Sequence, residues 1–188
     1  MSSKTDLTPA EWEKLLATGM AWELFPDGPP KWPWILNAGE GWAEQHSPEL
    51  DTVIVSITEP LEPGNILKRQ EPARLKPGYV DILRLEFQDY DPFGRHIGKT
   101  PEEAVVFDQK MASRVSRFLR KHRGKNIVVH CAAGISRSAG IVEAVLQAFP
   151  EYEDKGWERY PNNHVKTLMK RALGLVPIGA EDDEEPKA

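Results

Sequence analysis

Residues 126–149 read NIVVHCAAGISRSAGIVEAVLQAF, and the rest of the chain can be organised around this stretch. The β-branched run at 126–129 has the pattern of a buried strand. From about Arg137 the pattern turns helical and stops before Pro150. Between the two lies His130-Cys131-Ala132-Ala133-Gly134-Ile135-Ser136-Arg137-Ser138. Successive backbone N–H groups in such a tight turn can all point inward and form an anion-binding nest. The helix that follows adds unsatisfied N–H groups and the positive end of its dipole. Gly134 permits the backbone geometry, and Arg137 can meet two oxygens of a tetrahedral anion with one planar guanidinium. Cys131 falls on the floor of this cradle, where the donors that attract an anion also favour a thiolate over a thiol.

Working outward, 52–57 (TVIVSI) reads as a second buried strand, and 79–87 (YVDILRLEF) as a third with alternating apolar residues. The segment between them, 58–79, holds four prolines and two glycines and reads as a long connection. Thr100-Pro101-Glu102-Glu103 has the form of a capping box opening a helix to about His122, with Val106, Val115, Phe118 and Leu119 on its apolar stripe and Gly124 as its stop. Another helix is expected from Asn162 to Leu173. Near the N-terminus, Thr8, Pro9 and Glu11 mark a helix start, and the helix should end near Gly19. The string FPDGPPKWPW at 25–34 reads as loop, and five of the six tryptophans lie in the first 42 residues, where packing of this segment onto the domain explains them. The alternation of strands and helices implies an α/β domain with a central mixed, mostly parallel sheet flanked by helices. The expected division is an N-terminal segment at 1–45, the main domain at 46–176 and an acidic, apolar-poor tail at 177–188 that reads as disordered.

Composition narrows the function classes. The chain has 188 residues, enough for one domain with a core that requires no staple. Its formal net charge of −5 argues against general attraction to nucleic acid or to an anionic membrane. No apolar run approaches the ~20 residues of a membrane span, and the first residues, MSSKTDLTPAEWEK, lack the apolar core of a signal peptide, so a cytoplasmic location is expected. With a single cysteine there can be neither an internal disulfide nor a thiolate metal cluster. A lone cysteine is ordinarily inert core filling. The residues around Cys131 point the other way.

HCAAGISRS resembles the HCxxGxxR[ST] signature of the protein tyrosine phosphatase superfamily, in its compact dual-specificity or bacterial branch, and the resemblance covers about residues 50–175. It implies a dual-specificity phosphatase-like fold and a phosphomonoester hydrolase that passes through a phosphocysteine. Cys131 would be the nucleophile, Arg137 the phosphate clamp, and Ser138 a hydrogen-bond donor to the sulfur. Ala132, Ala133, Gly134, Ile135 and Ser136 would form the substrate-binding loop. His130 is a further candidate, expected to be buried and to hold the loop in shape. The family also implies an aspartate upstream as general acid. Asp89 in FQD fits that place, with Asp91 as runner-up, while the other of the two caps its own turn. The interval of 42 residues from Asp89 to Cys131 is long for a minimal member, and the extra length falls at 92–100, where Arg95, His96 and Lys99 offer a cationic lid or a solvated loop.

The resemblance implies no metal or cofactor, and a phosphorylated protein or peptide as partner. Phosphotyrosine is the expected substrate, with phosphoserine and phosphothreonine as the wider class. Apolar Ala132, Ala133 and Ile135 disfavour a phosphoinositide headgroup. An RNA 5′-phosphate is a further alternative, for which the basic run at 117–125 would serve, although a solvated helix face explains that run more simply. A binding module with weak catalysis is the remaining alternative. A nucleotide P-loop is excluded because no Lys occupies the required place.

Overall fold

A computed structural model of the chain describes residues 7–21, 31–60, 71–90, 105–157 and 159–177. The elements in order are α1 (Pro9–Ala17), β1 (Trp34–Gly39), α2 (Glu40–Gln45), β2 (Thr52–Thr58), β3 (Ile82–Glu86), α3 (Gln109–Lys121), β4 (Asn126–Cys131), α4 (Arg137–Ala148), β5 (Glu153–Asp154) and α5 (Asn163–Leu173). The strands form one five-stranded sheet in the order β3-β2-β4-β1-β5. Every pairing among the described residues is parallel, so the sheet is not mixed there.

Parallel strands are covered on both faces, which is why β2 and β4 are apolar runs rather than alternating ones. Successive side chains still divide between faces. Val53, Val55, Ile57, Ile127, Val129 and Cys131 join a core with residues of α3, α4 and α5. Ile54, Val128, Trp34, Leu36 and Ala38 join a smaller core on the opposite face, against Ala43 and Trp42 of α2. The alternation puts Cys131 on the face covered by α3, α4 and α5 and its neighbour His130 on the other.

Three elements differ from the sequence expectation. Trp34–Gly39, inside the segment assigned to the N-terminus, is an interior strand between β4 and β5. Its WILNAG carries Asn37 and two small residues, so strand propensity alone does not mark it. The long helix starts at Gln109, capped by Asp108, whose carboxylate accepts from the Met111 N–H at 2.7 Å. Val106 therefore precedes it instead of lying on its stripe, and the capping box proposed for 100–103 falls outside the described residues, as do Asp91, the 92–100 segment and the acidic tail. The third is the two-residue β5, too short to leave a periodic pattern.

The N-terminal helix has the expected capping box: Thr8 Oγ accepts from the Glu11 N–H, and the Glu11 carboxylate takes the Thr8 N–H. Trp12 packs against Trp32 with centroids 6.5 Å apart, Trp34 is buried in β1, and Trp42 stacks on His46. These tryptophans are packing residues. Among the described residues, no helix is long and apolar enough to cross a membrane.

Candidate active site

The C-terminal ends of four parallel strands meet around the loop that follows β4, the position where open α/β sheets place their sites. Cys131 is the last residue of β4, opposite Gly39 in register, and is 2% exposed. Its Sγ lies 3.3 Å from Ser138 Oγ and accepts from the Gly134 N–H at 3.3 Å.

The loop is shaped by donors outside it. The Ala132 carbonyl accepts from the Glu40 N–H at 3.0 Å, and the Gly134 carbonyl from Asn37 Nδ2 at 2.7 Å. The Ile135 carbonyl accepts from the Tyr160 N–H at 3.0 Å, and the Ser136 carbonyl from the N–H groups of Gly140 and Asn162. In a trans peptide the C=O and the next N–H point to opposite sides. Four outward carbonyls therefore turn the N–H groups of Ala133, Ile135, Ser136 and Arg137 inward, and none of these has an acceptor among the described residues. Arg137 is the first residue of α4, so its N–H is also one of the helix's unsatisfied donors.

Gly134 is required twice over. Its φ is +80°, and a Cβ there would lie 2.4 Å from the Ala38 carbonyl carbon and the Gly39 nitrogen. Any side chain would push the loop off β1.

Arg137 is 3% exposed. One terminal nitrogen donates to the Phe87 carbonyl at 2.8 Å, and the other lies 3.8 Å from Glu59 at the end of β2. These contacts anchor both terminal nitrogens, while the buried Nε–H meets no acceptor among the described residues. A buried orphan donor of this kind costs about 1–3 kcal/mol until a ligand accepts from it.

Asp89, two residues beyond Phe87, reaches the same loop: its Oδ1 accepts from Ser136 Oγ at 2.8 Å and from Asn162 Nδ2 at 2.9 Å. His130 faces the opposite side of the sheet. It is 1% exposed and bonds Ser56 Oγ at 2.8 Å through Nε2. Burial, partly offset by the Cys131 backbone, pulls its pKa down from 6.5 to about 4, so the ring is neutral at physiological pH.

Cys131, Gly134, Ser136, Arg137, Ser138 and Asp89 thus share one site, with Ala132, Ala133 and Ile135 on its exposed rim. His130 lies behind it, and Asp91 is outside the described residues. Sequence reasoning missed Asn37, Glu59 and the second role of Asn162. Asn162 was legible only as the start of the last helix, and nothing local to Asn37 or Glu59 points to partners so far along the chain.

Among the described residues the arrangement can bind a tetrahedral oxyanion against a cysteine sulfur, with a carboxyl group on the loop's flank. Compared with protein-family models, curated proteins and solved structures, the chain gives no match.

Proposed function

We propose that the protein is a cysteine-dependent phosphomonoester hydrolase acting on phosphotyrosine in proteins or peptides, as its resemblance to the protein tyrosine phosphatase superfamily implies. The observation that carries this reading is the set of donors without acceptors among the described residues in and beside the Cys131 loop: the N–H groups of Ala133, Ile135, Ser136 and Arg137, and Arg137 Nε. Such a set suits the equatorial oxygens of a transferring phosphoryl group.

In the first step the Cys131 thiolate attacks phosphorus as the ester P–O bond breaks, and Asp89 gives its proton to the departing oxygen. The product is an S–P bond on Cys131 and a free phenol. In the second step Asp89, now a carboxylate, takes a proton from water as the water oxygen attacks phosphorus. The S–P bond breaks, inorganic phosphate leaves, and the returning thiolate accepts from Ser138 Oγ, which already lies 3.3 Å from the sulfur.

The rim supports an aryl ester. Ile135 is 41% exposed on that rim, and the backbone of Tyr160, itself 68% exposed, holds the Ile135 carbonyl. Exposed apolar and aromatic residues next to the loop suit a phenyl ring better than a polyanionic inositol headgroup.

The test is hydrolysis of para-nitrophenyl phosphate with EDTA present, for the parent and Cys131→Ser. Turnover that persists in EDTA and vanishes in the variant is expected. Equal turnover by both proteins would refute Cys131 as nucleophile.

A further inference from the structure

We propose that Ser136 and Asn162 form a two-donor clamp on Asp89 Oδ1, so that the catalytic proton is carried by Oδ2 alone and presented at a fixed place beside the Cys131 loop. The proposal rests on the phosphatase reading and assigns positioning roles within that site.

The geometry is specific to one oxygen. Ser136 Oγ and Asn162 Nδ2 both donate to Oδ1, at 2.8 and 2.9 Å. An sp² carboxylate oxygen has two lone pairs, and two donors occupy them. A proton bound to the carboxyl group must then sit on Oδ2. The same amide also donates to the Tyr90 carbonyl at 2.9 Å, which ties the backbone following Asp89 to the same point.

Asn162 is itself held from several sides. It is 3% exposed, its Oδ1 caps α5 by accepting from the Val165 N–H at 3.0 Å, and its backbone N–H donates to the Ser136 carbonyl at 3.1 Å. Gly140 lets α5 approach α4 this closely, since a Cβ there would lie 2.8 Å from the Asn162 carbonyl oxygen. The clamp therefore joins three parts of the chain: the segment after β3, the Cys131 loop and the start of α5. Among the strong cap residues Ser, Thr, Asp and Asn, only Asn offers an acceptor for the cap and a separate NH2 donor for a carboxylate.

The two roles can be separated by substitution. Asn162→Asp keeps a good cap but replaces the donor with a carboxylate facing Asp89. Ser136→Ala removes the other donor, and that hydroxyl caps nothing in α4. A misplaced acid matters most when the leaving group is poor. The experiment measures kcat/KM for phenyl phosphate and para-nitrophenyl phosphate in the parent and in both variants, with thermal midpoints as a folding control.

Each variant should lose roughly 10–100-fold on phenyl phosphate, a share of the ~10²–10⁴-fold that general acids supply, and about tenfold less than that on the nitrophenyl ester. In an Asp89→Asn background, adding Asn162→Asp should shift the ratio of the two esters no further. Equal losses on both esters, or the same ratio shift without Asp89, would overturn the clamp. If Asn162→Asp does not fold, Ser136→Ala decides alone. A folded parent inactive on both esters would instead overturn the phosphatase reading beneath it.

Discussion

The two ends of the parallel sheet treat charge in opposite ways. At the end where the strands begin, donors meet carboxylates: Lys121 Nζ and His122 Nε2 each lie 2.9 Å from Asp81 Oδ2, and Lys125 lies 2.7 Å from Asp51. Asn126 closes that edge, donating its N–H to the Asp51 carbonyl and accepting from the Trp34 N–H. At the end where the strands finish, N–H groups of the Cys131 loop and Arg137 Nε have no acceptor among the described residues. One end is neutralised internally. The other holds concentrated donor capacity around a sulfur, which is what an anion site requires and what stability alone disfavours.

The comparison breaks most visibly if the donor-rich end is edited. Asp89→Asn should cost about 10²–10⁴-fold in kcat/KM on phenyl phosphate and far less on para-nitrophenyl phosphate, read from a leaving-group series. A uniform loss across the series would remove Asp89 from the acid's role. Arg137→Lys should lower kcat on para-nitrophenyl phosphate by about 10²–10³-fold, because a point charge cannot reproduce a planar fork that also holds the Phe87 carbonyl. Near-parent turnover would mean that the guanidinium does not reach the phosphoryl group.

Acid separates the two ends by pH. His130 has a folded pKa of about 4, below its ordinary 6.5, so the unfolded chain binds the proton more readily between those values. Stability is then lost as pH falls from 6.5 towards 4, by about 3 kcal/mol in full. His130→Asn should flatten that part of the stability–pH curve, measured by urea denaturation at stepped pH. An unchanged slope would place the acid sensitivity elsewhere. Asp81 acts in a lower window. The hydrogen bonds from Lys121 and then His122 hold its carboxyl down from 3.8 to about 2, so its contribution is present above 3.8 and lost as pH falls towards 2. Asp81 is 36% exposed and Lys121 67%, and the buried His122 can still bond an amide oxygen, so Asp81→Asn should move the thermal midpoint by only a few degrees and leave turnover intact. A large drop in turnover would mean that the two ends are coupled.

Much of this division could be read from the chain. The run at 126–149 shows strand, loop and helix because its chemistry is local: β-branched residues, then Gly134 and Arg137, then a helical stripe. The capping residues of α1 and the start of α5 are legible for the same reason. The strand at 34–39 was hidden because its neighbours supply its reason to be extended: Ile35 to Gly39 pair with Ile127 to Cys131, more than ninety positions away. Likewise Asn37 and Asn162 look ordinary in sequence, and only the folded chain brings their amides to Gly134 and Asp89. Side chains that shape a loop from a distance leave no periodic trace.

The most direct test of the central claim is to quench the parent during turnover of para-nitrophenyl phosphate and map any phosphoryl group by mass spectrometry of its peptides. The account predicts one phosphoryl group, on Cys131, absent from Cys131→Ser. A phosphoryl group on another residue, or rapid turnover with Cys131 unmodified at every time point, would contradict it.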